Sequence, residues 1–226
     1  MPVMLDKYHL GADERFANDE FFNQTLFEST HFKVIPSLGS LVEGWLLILP
    51  KMHFISLGAI NDYYLYEELE VLIDKICAIV KKEYGDYIVF EHGPARENSV
   101  VGCGVDYAHL HIVPIKIDLI HYSHTQLEGC SWSKVQNINS TADFYNQDKP
   151  YLFVQDRLEN LFIGTAPEIP SQAFRKIIAE HLGIPDKYDW KQYPFLSNIR
   201  RTIEKFASYK KEIIVIKDPH YERDTA

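Results

Sequence analysis

The sequence has few cysteines and no long apolar run. Only three of its 226 residues are cysteine, Cys77, Cys103 and Cys130, and they form no Cys-x-x-Cys pair. An odd, widely spaced set is typical of a reducing compartment rather than of a disulfide-stabilised secreted domain. The longest apolar run, residues 45–49, is far shorter than the about 18 residues that a membrane-spanning helix needs. We therefore expect a cytoplasmic protein with no membrane partner.

Positive charge is also scarce. The chain has 23 Lys and Arg residues against 32 Asp and Glu residues, a net charge of −9. Such a chain repels polyanions, so we expect no sequence-independent binding of nucleic acid. The hydrophobic fraction of 46% is that of a folded globular protein. At about 150 residues per domain, the length allows one domain, or one domain with an extension.

Several common catalytic motifs are missing. The sequence has no Gly-x-Ser-x-Gly, no His-Glu-x-x-His and no Gly-x-Gly-x-x-Gly. Gly39 and Gly44 have the spacing of a phosphate-binding P-loop, but Trp45 follows where that loop needs lysine. These absences argue against a serine hydrolase of the nucleophile-elbow type, a zinc protease, a dinucleotide-binding enzyme and a P-loop protein.

Short apolar runs and one long amphipathic segment occupy the first 130 residues. Asn61 or Asp62 can cap a helix that continues to about Tyr84 and ends at Gly85. Four runs are apolar and partly alternating, as β-strands are: residues 30–36, 45–50, 87–91 and 105–117. Strands in succession with one inserted helix predict an α+β fold with a largely antiparallel sheet.

The character of the sequence changes near residue 130. A polar stretch, residues 131–150, comes first, and the segment after it has too little predicted β structure for a sheet of its own. We therefore predict a domain at residues 1–130 and a C-terminal extension at residues 131–226 that packs on it. The extension is expected to contain a hairpin of residues 151–155 and 160–164, and helices at residues 171–182 and 197–209.

The most informative motif is Ala108-His109-Leu110-His111-Ile112-Val113-Pro114. On a strand, residues i and i+2 share a face, so both imidazoles project together while Leu110 and Ile112 face the core. Two adjacent imidazoles can bind a metal ion, bind a phosphate, or share the nucleophile and acid roles of catalysis. His121 and His124, further along, are expected in an exposed loop.

Other residues of the same chemistry end the neighbouring strands. The run Pro50-Lys51-Met52-His53 closes one strand with a third histidine, and Glu91-His92-Gly93 closes another with a fourth. The run Gly102-Cys103-Gly104 comes just before the histidine pair, and its glycines allow the backbone to approach a ligand closely. These runs predict a site at one end of the sheet.

Together these segments resemble the histidine triad (HIT) superfamily of nucleotide hydrolases and transferases. The resemblance covers roughly residues 25–117 and extends to a bacterial HIT-like branch that has a long C-terminal extension. It follows the order of the motifs: Val34-Ile35-Pro36-Ser37-Leu38-Gly39, Gly44 to Leu49, Pro50-Lys51-Met52-His53, a long helix, Phe90-Glu91-His92-Gly93, Cys103-Gly104-Val105-Asp106 and the His-x-His strand.

The resemblance implies roles for the histidines. The family pattern, histidine at three alternate strand positions, falls on Tyr107, His109 and His111. The middle position, His109, is then the catalytic nucleophile, His111 contacts phosphate oxygens, and His53 is the matching upstream histidine of the catalytic set. Tyr107 departs from the pattern, because the family has histidine there.

The resemblance also implies the substrate-binding residues. The family positions that are often Asn in the preceding strand, and Ser or Gln before the triad, fall on Glu91 and on Cys103 or Gly104. The expected substrate-binding set is Glu91, His92, Gly93, Cys103, Gly104 and Tyr107.

The implied function is hydrolysis or transfer at a nucleotide α-phosphate. A neutral imidazole is a good nucleophile near pH 7 and, once phosphorylated, a good leaving group. Attack by His109 on a dinucleoside polyphosphate or a nucleoside phosphoramidate gives a nucleotidyl-histidine, which water or another acceptor resolves. This route needs no metal ion and no other cofactor. The resemblance further implies a homodimer.

Two alternatives remain open. Tyr107 in place of histidine suggests a nucleotide-binding or regulatory HIT-like protein with little turnover. Cys103 and the histidine pair have the spacing of a Cys-x5-His-x-His zinc site, with His53 or His92 as a fourth ligand. Glu91 can be a general base or a residue that supports one, or a strand-end carboxylate that is paired with an arginine.

Overall fold

The computed structural model describes residues 23–99, 101 and 106–209. Its eight strands form one antiparallel sheet in the order β1-β2-β3-β5-β4-β7-β8-β6. The strands are β1 Phe27–Glu28, β2 Phe32–Pro36, β3 Leu46–Pro50, β4 Ile88–Gly93, β5 Leu110–Val113, β6 Ser131–Val135, β7 Tyr151–Gln155 and β8 Leu161–Thr165. The helices are α1 Tyr63–Tyr84, α2 Leu119–Gln126, α3 Thr141–Asn146, α4 Ala173–His181 and α5 Leu196–Phe206. The predicted α+β fold with an antiparallel sheet is confirmed.

Helix α1 has the predicted bounds. The carboxylate of Asp62 accepts a hydrogen bond from the N–H of Tyr64 at 2.9 Å, and Gly85 closes the helix with a φ of +88°. The apolar face of α1 packs on one face of the sheet, against alternate residues of the strands such as Ile48, Val89 and Leu110. None of the described helices is long and apolar enough to cross a membrane.

The opposite face of the sheet is also covered, and this is the face that carries the histidine pair. Trp45, Phe90 and Val113 project from it, and α4 covers them with Phe174 and Ile177. Both faces of the sheet are therefore packed, so the histidines lie beneath the C-terminal part of the chain and not on an open surface.

The C-terminal part continues the same sheet. The predicted hairpin is confirmed, because β7 and β8 pair with Leu152 opposite Gly164. Strand β7 also pairs with β4 over five residue pairs, and β6 pairs with β8 at the edge. The polar stretch at residues 131–150 contains β6 and α3. His121 and His124 lie in α2 rather than in the predicted loop. The domain boundary at residue 130 stays a prediction.

We predict that residues 1–130 alone do not fold cooperatively. Without the rest of the chain, β4 loses its β7 partner, and Phe90 loses the cover of Phe174. Exposed apolar surface and an unpaired central strand favour aggregation over folding. In urea unfolding followed by circular dichroism, the full chain is expected to show one cooperative transition and the fragment none. A sharp transition in the fragment would show that the extension is only an accessory.

Candidate active site

Three imidazoles meet on the face of the sheet that α4 covers. His109 precedes β5, His111 lies within it, and His92 lies near the end of β4. Phe90 pairs with His111, and His109 lies close enough to His92 to contribute to the lowered pKa of His92. The ring centroids of His109 and His111 are 4.9 Å apart, and those of His92 and His111 are 6.4 Å apart. These residues are only 4% (His109), 3% (His111) and 1% (His92) exposed.

The hydrogen bond of His109 fixes its proton. Nδ1 of His109 lies 2.6 Å from the carbonyl oxygen of Tyr107, which can only accept, so Nδ1 carries the proton. Burial lowers the pKa of His109, and the Tyr107 carbonyl opposes that shift. The neutral ring therefore carries its lone pair on Nε2, which is the form in which imidazole is a nucleophile.

His111 has the opposite tautomer. The indole Nε1–H of Trp45 donates to Nδ1 of His111 at 3.0 Å, so the proton of the neutral ring is on Nε2. Phe90 stacks on the ring, with centroids 4.4 Å apart and planes inclined by 18°. Burial, with His109, His92 and Arg175 nearby, holds the pKa of His111 well below its usual value. His111 is a neutral hydrogen-bond donor.

His92 is held by α4. The backbone N–H of Phe174 donates to Nε2 of His92 at 3.2 Å, and the Phe174 ring packs against the imidazole with centroids 4.8 Å apart. Burial, then His109 and Arg175, lower the pKa of His92 to about 3. This imidazole is therefore neutral near pH 7.

Tyr107 occupies the first triad position without offering an acid to the site. Its hydroxyl donates to the carbonyls of Pro50 and Met52, and its ring packs in a small cluster with Ile35, Leu47 and Leu49. Burial raises the pKa of Tyr107 to about 12, so the hydroxyl stays protonated. These hydrogen bonds attach the segment just before β5 to the end of β3.

His53 lies just after β3 and contacts the chain that leads to His109. Its Nε2–H donates to the carbonyl of Asp106 at 2.8 Å, and the next residue, Phe54, accepts from the N–H of Ala108 at 2.6 Å. His53 also lines a cleft of about 460 Å³ with Arg96 among its other residues. The structure thus ties His53 to the main chain that carries the triad positions.

Glu91 lies on the opposite face of the sheet from the three imidazoles. Neighbouring strand residues point to opposite faces, so Glu91 points toward α1 where His92 points toward α4. Its carboxylate accepts from the N–H of Leu57 at 2.7 Å and from the hydroxyl of Tyr151 at 2.6 Å. The structure therefore does not bring Glu91 to the histidines. Its carboxylate holds the turn at Leu57–Ala59, which follows His53.

The remaining expected site residues have different placements. Gly93 lies under the ring of Tyr151, where an added Cβ would come within 2.1 Å of the ring, so it is a packing glycine. Cys103 and Gly104 lie outside the described residues. Within the described ranges, no group of three or more His, Cys, Asp or Glu side chains could hold a metal ion. The zinc alternative, which needs Cys103, stays a hypothesis.

Arg175 is a site-adjacent residue that the sequence did not reveal. Its guanidinium is buried, lies 4.9 Å from the ring of Trp45, and donates to the carbonyls of Gly39 and Tyr188. Its positive charge contributes to the lowered pKa values of His92 and His111. No local pattern could indicate this contact, because Gly39 is 136 residues away along the chain.

Comparisons with known proteins give likenesses of fold. No family model and no curated protein matches the chain. A HIT family hydrolase from Clostridium thermocellum matches at 18% identity and a TM-score of 0.31, over 52% of this chain and 94% of that one. A yeast Ap4A phosphorylase in complex with AMP matches at 10% and 0.40, over 79% and 80%. A DUF4931 family protein from Bacillus cereus matches at 12% and 0.39, over 82% and 99%.

The HIT resemblance rests on the motifs of the sequence. The sequence identities are below 20% and the TM-scores are below 0.5, so the matches carry no argument about activity. The chemistry that this site can perform depends on the three imidazoles and their hydrogen bonds.

We predict that Glu91 lowers the stability of the protein as the pH rises from about 4.5 to about 7. Burial raises the pKa of Glu91 from 4.5 to about 7. Over that range the unfolded chain releases a proton that the folded chain still holds, so the free energy of unfolding falls, by about 3 kcal/mol. Urea unfolding at pH 4 and pH 8 measures nearly all of this difference.

Two variants test the assignment. Glu91→Gln cannot titrate, so its unfolding free energy should depend on pH less steeply than that of the wild type. Glu67→Gln, at an exposed position of α1, is the matched control and should follow the wild type. Equal pH dependence in the wild type and Glu91→Gln would contradict the raised pKa.

Proposed function

We propose that this chain is a nucleotide hydrolase or nucleotidyltransferase that acts at an α-phosphate through a covalent nucleotidyl-histidine on His109. One observation carries the proposal: Nδ1 of His109 is bonded to the carbonyl of Tyr107 at 2.6 Å, which puts the lone pair on Nε2. Burial keeps this ring neutral near pH 7. A neutral imidazole with a fixed tautomer is prepared to attack phosphorus without first losing a proton.

The proposed reaction has two displacements. In the first, Nε2 of His109 forms a bond to the α-phosphorus, and the bond from phosphorus to the leaving group breaks, its electron pair going to that group. Positive charge develops on the ring, and the Tyr107 carbonyl stabilises it by accepting from Nδ1–H. In the second, water attacks the phosphorus and loses a proton to the solvent, the N–P bond breaks with its electron pair returning to Nε2, and the nucleoside monophosphate leaves. Another acceptor in place of water gives transfer.

The neighbouring residues support that chemistry in different ways. The Nε2–H of His111 is a donor for phosphoryl oxygens, which carry the negative charge of the transition state. His53 and the turn held by Glu91 fasten the backbone before His109. The substrates that suit this site are a dinucleoside polyphosphate or a nucleoside phosphoramidate.

A second candidate function is nucleotide binding with little turnover. It is favoured by the placement of the Tyr107 hydroxyl, which donates to the carbonyls of Pro50 and Met52. The leaving group then gains no proton from the first triad position. A binding or regulatory protein would hold AMP well and release it slowly from any substrate.

We predict that His109→Ala abolishes turnover while the fold is kept. Loss of the nucleophile removes the covalent route, which costs several kcal/mol of activation free energy, or about 10³-fold or more in rate. The measurement is AMP release from a dinucleoside tetraphosphate and from adenosine phosphoramidate. The wild type, mixed with substrate and quenched in acid-free denaturant, should also show a nucleotidyl adduct by intact-protein mass spectrometry.

The control is His124→Ala, at an exposed position of α2. It should turn over at the wild-type rate. If His109→Ala keeps that rate on a substrate that the wild type cleaves, the covalent mechanism is wrong. If the wild type binds AMP and cleaves neither substrate, the binding function replaces the catalytic one.

The homodimer and the cytoplasmic location stay predictions. Sedimentation velocity at micromolar concentration tests the first, since a dimer of a 26.3 kDa chain separates clearly from the monomer.

A further inference from the structure

Two imidazole N–H groups of the site are buried without a hydrogen-bond partner among the described residues. They are Nδ1 of His92 and Nε2 of His111. Three more buried side-chain atoms lack a partner, on Ser29, Ser56 and Trp190, and none belongs to the histidine cluster. A buried donor left without an acceptor destabilises the fold, and folded proteins keep few of them. Two such donors in one cluster call for a ligand that accepts from both.

A backbone N–H of α4 determines which ring nitrogen of His92 carries the proton. Phe174 is the second residue of α4, where backbone N–H groups have no partner within the helix. Its N–H donates to Nε2 of His92, so that nitrogen is the acceptor and the neutral ring carries its proton on Nδ1. The ring has aromatic contacts with Phe90 and Phe174, which hold its orientation.

The indole of Trp45 determines which ring nitrogen of His111 carries the proton. Trp45 occupies its Nδ1 as a donor, so the proton is on Nε2, and the Phe90 ring stacks on the imidazole. The two histidines therefore have opposite tautomers, each fixed by a donor from a different part of the chain. Each has one N–H left to donate.

We infer that His92 is a phosphoryl-binding residue, whose Nδ1–H donates with the Nε2–H of His111 to the oxygens of the phosphate attacked by His109. The inference rests on the proposed function, which it deepens by adding a third imidazole to the site. The ring centroids of His92 and His111 lie 6.4 Å apart, and those of His109 and His111 lie 4.9 Å apart. Two N–H donors bind an anion, whereas a metal ion needs lone pairs at those atoms.

The charge around the site favours the same class of ligand. Arg175 is buried close enough to both histidines to affect their protonation. The nearest strand carboxylate in sequence, Glu91, points to the opposite face of the sheet. A phosphate oxygen therefore meets N–H donors and a guanidinium charge on this face.

His92 also accounts for the missing histidine of the linear motif. Tyr107 stands at the first triad position, and its hydroxyl is engaged by the carbonyls of Pro50 and Met52. The third imidazole comes instead from β4, the neighbouring strand. The site thus has three imidazoles where the His-x-His strand alone has two.

The test compares binding of AMP with binding of adenosine, which lacks the phosphate. His92→Phe keeps a flat ring of similar size and removes both ring nitrogens, and His92→Asn restores an N–H donor. By isothermal titration calorimetry, His92→Phe should weaken AMP binding at least tenfold and leave adenosine binding within twofold. His92→Asn should recover part of the loss, and His124→Phe, at an exposed position of α2, should behave as wild type.

A second measurement reads the tautomers directly. Long-range ¹H–¹⁵N spectra of the histidine-labelled protein should show His92 with its proton on Nδ1 and His111 with its proton on Nε2. Addition of AMP should shift both N–H signals, and addition of adenosine should not. A His92 proton found on Nε2, or N–H signals that do not shift when AMP is added, would overturn the inference.

The outcomes separate this inference from the proposed function. If His92→Phe weakens AMP and adenosine equally, or neither, His92 is structural and the inference fails even where the wild type turns over. If the wild type shows no turnover but its AMP affinity depends on His92, the hydrolase proposal fails and the phosphoryl-binding role stands.

Discussion

The antiparallel pairing of β4 with β5, in which Phe90 lies opposite His111, determines the arrangement of the residues around the histidines. This register turns His92 toward α4, and it turns Glu91 toward α1. A slip of β4 by one residue would turn His92 toward the apolar contacts of α1 and bring the Glu91 carboxylate to the site. Pairing of β4 with β7 on its other edge holds that register from both sides.

Burial decides the chemistry that the three imidazoles can perform. Desolvation lowers the pKa of each ring, so the cluster is neutral and its rings do not repel one another. Neutral rings differ only in where their protons lie, and these positions are fixed by the Tyr107 carbonyl, the Trp45 indole and the Phe174 backbone N–H. One ring is thereby an acceptor and two are donors, which is the division of roles that attack on a phosphate needs.

The sequence predicted the features that depend on local pattern. The cap at Asp62, the end of α1 at Gly85 and the shared face of His109 and His111 follow from residue types and spacing. The features that it missed depend on contacts between distant segments. Which way Glu91 points is set by strand register, and the cover of the histidine face by α4 is set by packing between residues more than 60 positions apart. Neither leaves a short-range signal.

The origin of the third imidazole on a different strand bears on how such proteins are recognised. A search for three histidines at alternate positions along one strand passes over a chain that has Tyr107 in the first of them. A spatial pattern with one histidine on β4, one just before β5 and one within β5 describes the imidazole cluster of this sheet. Such a pattern does not depend on which strand supplies each ring. A search with it would group proteins that have the same arrangement of imidazoles, even where a search for the linear motif separates them.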